Sequence, residues 1–98
     1  MGRKPQPLPA LPQLNELFSC NAQEGTLTRL TSRQGSLPPG TVIRGTRRYY
    51  KRVYLQGRSY LLSRVIWFMA TGQEPGHMQV DHIDGDISNN AITNLRLV

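Results

Sequence analysis

Asp81 and His82 set a carboxylate and an imidazole side by side. An imidazole titrates at about pH 6.5 and takes a proton from water near neutrality, while carboxylate oxygens suit a hard divalent cation such as Mg²⁺. Hydrolysis of a phosphodiester needs both: an activated water, and a cation that neutralises charge on the leaving oxygen. Neighbours on a strand point to opposite faces, so the pair serves one centre only if the strand bends or a metal draws both in. An isolated Asp-His pair is otherwise an ordinary structural feature, and its surroundings have to decide.

Those surroundings are rich in turn-forming and amide side chains. Val80 to Ile83 reads as a short strand, Asp84-Gly85-Asp86 as a turn, Ser88 to Asn94 as an asparagine-rich loop and Leu95 to Val98 as a returning strand. Asn89 and Asn90 are expected to stabilise the loop, because short amides satisfy backbone groups in irregular segments. Asp84 and Asp86 read as turn residues rather than ligands. An EF-hand starting at Asp84 fails, with Asn89 where glycine is required and Leu95 where glutamate is required. Neither a glycine-rich phosphate loop nor a Gly-x-Ser-x-Gly elbow occurs. His77 reads as an exposed loop residue. The lone Cys20 forms no internal disulfide and reads as a small buried apolar side chain.

Charge is divided along the 98 residues. Residues 1–64 hold eleven basic and two acidic side chains, net +9, and residues 65–98 hold one basic and four acidic, net −3, which together give the formal +6. A cationic body with an acidic tip suits a protein that holds a polyanion in one part and a cation or reaction centre in the other. The basic residues concentrate at Arg44, Arg47, Arg48, Lys51, Arg52 and Arg58, a stretch with no acidic residue. Arginine forks match phosphate oxygens and a two-stranded ribbon fits the major groove, so this stretch, with Tyr50 and Tyr54 between its arginines and Arg64 beyond it, is the candidate DNA surface. A merely solvated cationic face is the alternative.

The elements that must position these residues are short. Residues 1–13, with four prolines, read as an extended, poorly ordered arm. Leu14, Leu17 and Phe18 suggest one short helix or turn, and residues 18–30 a hairpin, followed by a loop over 32–40. Residues 41–43, 47–55 and 58–62 look like strands. A period of two in the middle one places Arg48, Tyr50, Arg52 and Tyr54 on one face and Tyr49, Lys51, Val53 and Leu55 on the other. Ser63 is placed to cap a helix from Arg64 to Thr71, with Gly72 as its stop, and the run Val65 to Ala70 makes that helix the expected centre of a core, buried on most faces. That run, six residues long, is the longest apolar stretch, far short of the roughly 20 residues that span a bilayer. A cytoplasmic protein, without a membrane partner, is expected.

Val80-Asp81-His82-Ile83-Asp84-Gly85-Asp86, followed by Asn89-Asn90 and Asn94-Leu95-Arg96, resembles the HNH nucleases, in particular their phage and homing-endonuclease branch. Tyr60 to Trp67, then Gly72 and Pro75, look like the strand and helix that precede the motif there, and the likeness covers roughly residues 14 to 98. The resemblance implies that His82 is the general base, Asp81 a metal ligand, and Asn94 the central amide that braces the loop and helps to hold the base. It implies a divalent metal, Mg²⁺ or Mn²⁺, and DNA as substrate. Two departures accompany it. Ser63 stands where this branch often has histidine, and the chain reaches Val98 four residues after Asn94, before the closing helix that brings the family's last ligand. That ligand is then expected from a further C-terminal segment or a second subunit.

The expectation is therefore an α+β fold: a basic antiparallel sheet over residues 14–62, one buried helix over 63–73, and a C-terminal ββ unit over 78–98 whose final helix is missing. Two functions remain open. One is a metal-dependent DNA endonuclease. The other is a DNA-binding module of the same type without activity.

Overall fold

A computed structural model describes residues 7–31 and 37–98. Residues 1–6 of the proline-rich arm, and residues 32–36 of the expected loop, lie outside the described residues. The α+β class holds, with two helices and three small antiparallel sheets among the described residues. Helix α1 (Leu11–Leu17) leads into strands β1 (Phe18–Asn21) and β2 (Thr26–Arg29), and β3 (Val42–Ile43) pairs on the far side of β2. Strands β4 (Arg52–Leu55) and β5 (Arg58–Leu61) form a separate hairpin that runs directly into α2 (Leu62–Thr71). Strands β6 (Val80–His82) and β7 (Leu95–Leu97) make the third sheet, joined by a long loop that ends in a 3-10 turn, Ile92–Asn94.

One core serves all of these elements. Leu14 from α1, Phe18 from β1, Leu27 from β2, Val53 from β4, and Leu62, Val65 and Ile66 from α2 are its least exposed side chains, and Leu95 adds the C-terminal sheet. None of the hairpins would persist alone, since two strands without a covered apolar face are marginal in water. Their mutual burial against α2 is what holds them. No helix among the described residues is long and apolar enough to cross a membrane.

Four expectations are corrected. Residues 8–13 are not a free arm: Leu8 is buried, its N–H donates to Glu74 Oε1 at 3.1 Å, and α1 already begins at Leu11, with proline in its first turn where no N–H is needed. The basic sheet over 14–62 is two sheets, because residues 47–50 are not a strand. Thr46 Oγ1 accepts the Arg48 N–H at 3.1 Å, a local turn that draws the backbone off the ladder, and with every side chain from Arg47 to Tyr50 exposed no burial enforces a period of two. The alternation is real only within β4, where Val53 and Leu55 are buried and Arg52 and Tyr54 exposed.

Ser63 is not the helix cap either. The helix starts at Leu62, with Leu61 at the cap position, and Ser63 is buried within the first turn. The Leu62 N–H instead donates to the Lys51 carbonyl at 2.8 Å, so the hairpin does the work of a capping side chain. At the other end Gly72 stops the helix as expected, in the left-handed conformation with φ 76°. Finally, α2 is buried only over Leu62 to Ile66; Trp67, Phe68 and Met69 are half-buried and Ala70 is exposed.

The first sheet meets the third through one glycine. Gly25 turns β1 into β2 with φ 71°, and a Cβ there would stand 2.1 Å from the backbone carbon of Asn90. Beside it the Ile92 N–H donates to the Ala22 carbonyl at 2.8 Å. Replacing Gly25 with alanine is expected to cost more than about 1 kcal/mol, through the positive φ together with the clash, and to lower the thermal unfolding midpoint accordingly. An unchanged midpoint would mean that turn and loop do not touch. Leu14→Ala, at the bottom of the core, should cost about 2–5 kcal/mol in the same measurement.

Candidate active site

Strands β6 and β7 pair Val80 with Leu97, Asp81 with Arg96 and His82 with Leu95. Strand alternation then separates the two candidate residues. His82 is turned inward, 8 % exposed. Asp81 faces Arg96 across the ladder, its Oδ2 2.9 Å from Arg96 Nε. Both residues nevertheless border one cleft of about 180 Å³, with Tyr50, Gly85 and Ile87 among its other walls. The Tyr50 and His82 rings stand 6.3 Å apart, tilted by 46°.

The loop between the strands is held by short polar side chains bonded to one another and to the loop backbone. Asn94 is its centre: Nδ2 donates to Asp84 Oδ1 and to the Asn89 carbonyl, each at 2.9 Å, and Oδ1 accepts the Asp84 N–H at 3.1 Å. Asn89 Nδ2 donates to Asp84 Oδ2 at 3.0 Å. Asp86 accepts both the N–H and the hydroxyl of Ser88, at 2.9 and 2.6 Å. These donors hold both carboxyls below the usual aspartate range: for Asp84 first the Asp86 N–H, then the two amides, and for Asp86 first the Ser88 hydroxyl. Asp84 and Asp86 are thus turn residues, as their sequence context suggested.

The bond that holds the histidine comes from Asn90. Its Oδ1 lies 2.8 Å from His82 Nε2, and both side chains are buried, Asn90 at 2 % exposure. With Nε2–H donating to that oxygen, the lone pair of a neutral ring is on Nδ1. Asn94 therefore braces the loop, while the expected task of holding the base falls to Asn90. Asn90 is in turn pressed between two glycines, Gly25 behind its backbone and Gly45 beside its Nδ2, where a Cβ would come within 2.8 Å.

The basic residues divide into two groups. Arg44, Arg47, Arg48, Arg52 and Arg58 are exposed, with Tyr50 and Tyr54, and Lys51 is half-buried. Arg47 leans over the loop, its Nε 3.7 Å from Asp86 Oδ2, and Arg52 Nη1 donates to Ser59 Oγ at 3.2 Å. Arg64 does not belong to this surface. It is 6 % exposed, and its guanidinium donates to the carbonyls of Met78 at 2.7 Å and Gly76 at 2.8 Å, tying α2 to the segment that leads into β6. Burial pulls its pKa down, and those carbonyls rather than phosphates are its partners. Sequence reasoning quoted Arg96 within the motif without giving it a role, and gave none to Gly25 or Gly45, because each matters through a partner far away in the chain.

As a metal site the arrangement is sparse. No group of three His, Cys, Asp or Glu side chains that could hold an ion occurs among the described residues. Asp84 accepts loop donors at both carboxylate oxygens and Asp86 at Oδ1, and His82 Nε2 is engaged by Asn90, while Asp81 is the one aspartate side chain among those lining the cleft. That fits Mg²⁺, which commonly takes one or two carboxylates and completes its shell with water and substrate phosphate.

Asn90→Ala leaves a buried ring nitrogen without a partner and should cost about 1–3 kcal/mol of stability. The ring would then populate both tautomers, visible in its ¹⁵N shifts; a single tautomer persisting in the variant would sink this account of the base. The lowered carboxyls make an acid prediction as well. Because Asp84 and Asp86 are stabilised when ionised, their contribution is full above about pH 4 and is lost as pH falls through their folded values. Amide exchange in residues 84–94 should therefore accelerate below that pH while the β4–β5 hairpin remains protected.

Residues 60–98 match the family model described as HNH endonuclease. No curated protein and no solved structure matches the chain. The matched segment runs from the end of β5 through α2 to the whole β6–loop–β7 unit, and so holds Asp81, His82, Asn89, Asn90 and Asn94 together. The similarity to HNH endonucleases therefore rests on this C-terminal part of the chain, with its inward-turned histidine and asparagine-braced loop.

Proposed function

We propose that the protein is a metal-dependent DNA endonuclease that uses His82 as its general base. The observation that carries this reading is the buried bond from His82 Nε2–H to Asn90 Oδ1, which leaves Nδ1 for proton transfer at a cleft that Asp81 shares. A structural histidine would serve as well with both nitrogens engaged, yet Nδ1 has no hydrogen-bond partner among the described residues. In the reaction, Nδ1 takes a proton from water, the water oxygen attacks phosphorus, and the bond to the leaving oxygen breaks. Asp81 would hold a divalent cation, Mg²⁺ or Mn²⁺, which would supply charge neutralisation for the departing oxygen. Its remaining ligands would come from water, the phosphate, a second subunit or a further protein segment.

The substrate surface is the β4–β5 ribbon and the turn before it. Arg44, Arg47, Arg48, Lys51, Arg52 and Arg58 would neutralise backbone phosphates there, and Tyr50 extends the same surface to the wall of the cleft. A second reading, a DNA-binding module without activity, draws on the ion pair that engages Asp81.

Plasmid nicking separates the two. Nicking with Mg²⁺ or Mn²⁺ that stops with EDTA and in His82→Ala supports the enzyme; salt-sensitive binding without nicking supports the module. In either case Arg48→Ala and Arg52→Ala should each flatten the slope of log affinity against log salt by about one phosphate contact. An unaltered slope would remove the ribbon from the interface.

A further inference from the structure

The three aspartates of the C-terminal unit are neutralised in different ways. Asp84 is held by amides and an N–H, Asp86 by Ser88 with Arg47 at a loose 3.7 Å, and Asp81 by a guanidinium N–H at 2.9 Å. The proposed ligand is thus the one whose oxygen already holds a cation at close range. The pair is fixed by register, because Asp81 and Arg96 are directly opposed on β6 and β7. It is also partial. Only Nε of Arg96 contacts the carboxylate, the Nη groups have no hydrogen-bond partner among the described residues, and the side chains are 59 % and 40 % exposed.

We infer that Arg96 is an internal competitor for the cation at Asp81, released by DNA phosphate. This rests on the reading of Asp81 as a metal ligand. Paired with Arg96, Asp81 offers an incoming divalent ion no net charge, so the chain alone loads metal weakly. A phosphate offers the Arg96 fork two oxygens, a better partner than the single contact it now makes. DNA then draws the guanidinium from Asp81 and frees the oxygen for the ion. Metal and DNA would each raise the affinity for the other by the same factor, as linkage requires. Arg96 is a positioning residue in this scheme: it sets when Asp81 is open, and takes no proton.

Mn²⁺ binding followed by electron paramagnetic resonance tests this without relying on cleavage. Exposed ion pairs are weak, so Arg96→Gln should bind Mn²⁺ only about two- to five-fold more tightly than wild type in the absence of DNA. Arg96→Lys, which keeps the charge, should stay near wild type, and circular dichroism should report the same fold for both. The gain must vanish in an Asp81→Asn background. A short DNA duplex should enhance Mn²⁺ binding more in wild type than in Arg96→Gln. If wild type and Arg96→Gln bind Mn²⁺ equally, or if the gain survives Asp81→Asn as a general charge effect, the competitor role is overturned while a metal-dependent nuclease stands. If no variant takes up Mn²⁺ even with DNA, Asp81 is not a ligand, and the inference and the metal-dependent reading fall together.

Discussion

The hydrogen bond between Asn90 and His82 is made where water does not reach, and much of the molecule can be understood as the means of keeping it there. A buried imidazole nitrogen without a partner is costly, and so is a buried amide, so each side chain needs the other. Asn90 lies in the loop and has no strand of its own to hold it. The Gly25 turn of the first sheet backs the Asn90 main chain, Gly45 lies against its amide, and the Ala22 carbonyl receives the N–H of Ile92 just beyond. The N-terminal half therefore acts as the wall against which the loop is set, besides carrying the basic ribbon. Close approach of backbones demands glycine at these contacts, since even a methyl group would occupy space already filled.

Charge follows a related division of labour. The acidic side chains of the C-terminal unit are nearly all used inside it, two to shape the loop and one opposite Arg96. Arg64 is likewise withdrawn from solvent to tie α2 to the carbonyls before β6, which fixes how the helix meets the β6–β7 sheet. What is left exposed is the cationic stretch from Arg44 to Arg58, with three tyrosines of which Tyr49, Tyr50 and Tyr54 are each more than half exposed. A surface of that composition attracts a polyanion over a distance set by salt, and Tyr50 brings one end of it to the histidine.

Much of this is legible in the sequence of residues 60–98. Asp-His, the Asp-Gly-Asp turn and the spaced asparagines are local features, and a loop made of short side chains bonded to their near neighbours is encoded where it stands. The hairpin over residues 18–30 and the stop of α2 at Gly72 were legible for the same reason: turn chemistry and a left-handed glycine act within a few residues. Errors gathered where a local pattern met a distant partner. Ser63 has the chemistry of a cap, yet the Lys51 carbonyl took that place; residues 47–50 have the composition of a strand, yet no strand among the described residues pairs with them; Leu8 lies among prolines, yet Glu74 and the core claim it.

The sequence by itself determined which chemical groups the unit contains, their order, and the turns between them, because these depend on side-chain type and on contacts a few bonds away. Only the tertiary structure decided which amide holds the histidine, that Arg64 is buried among carbonyls while Arg48 stays exposed, and that Arg96 faces Asp81. Those assignments follow from strand register and from which surfaces are excluded from water, and both are properties of the whole packed chain: a shift of one residue between β6 and β7 would turn every side chain to the other face while leaving the sequence unchanged.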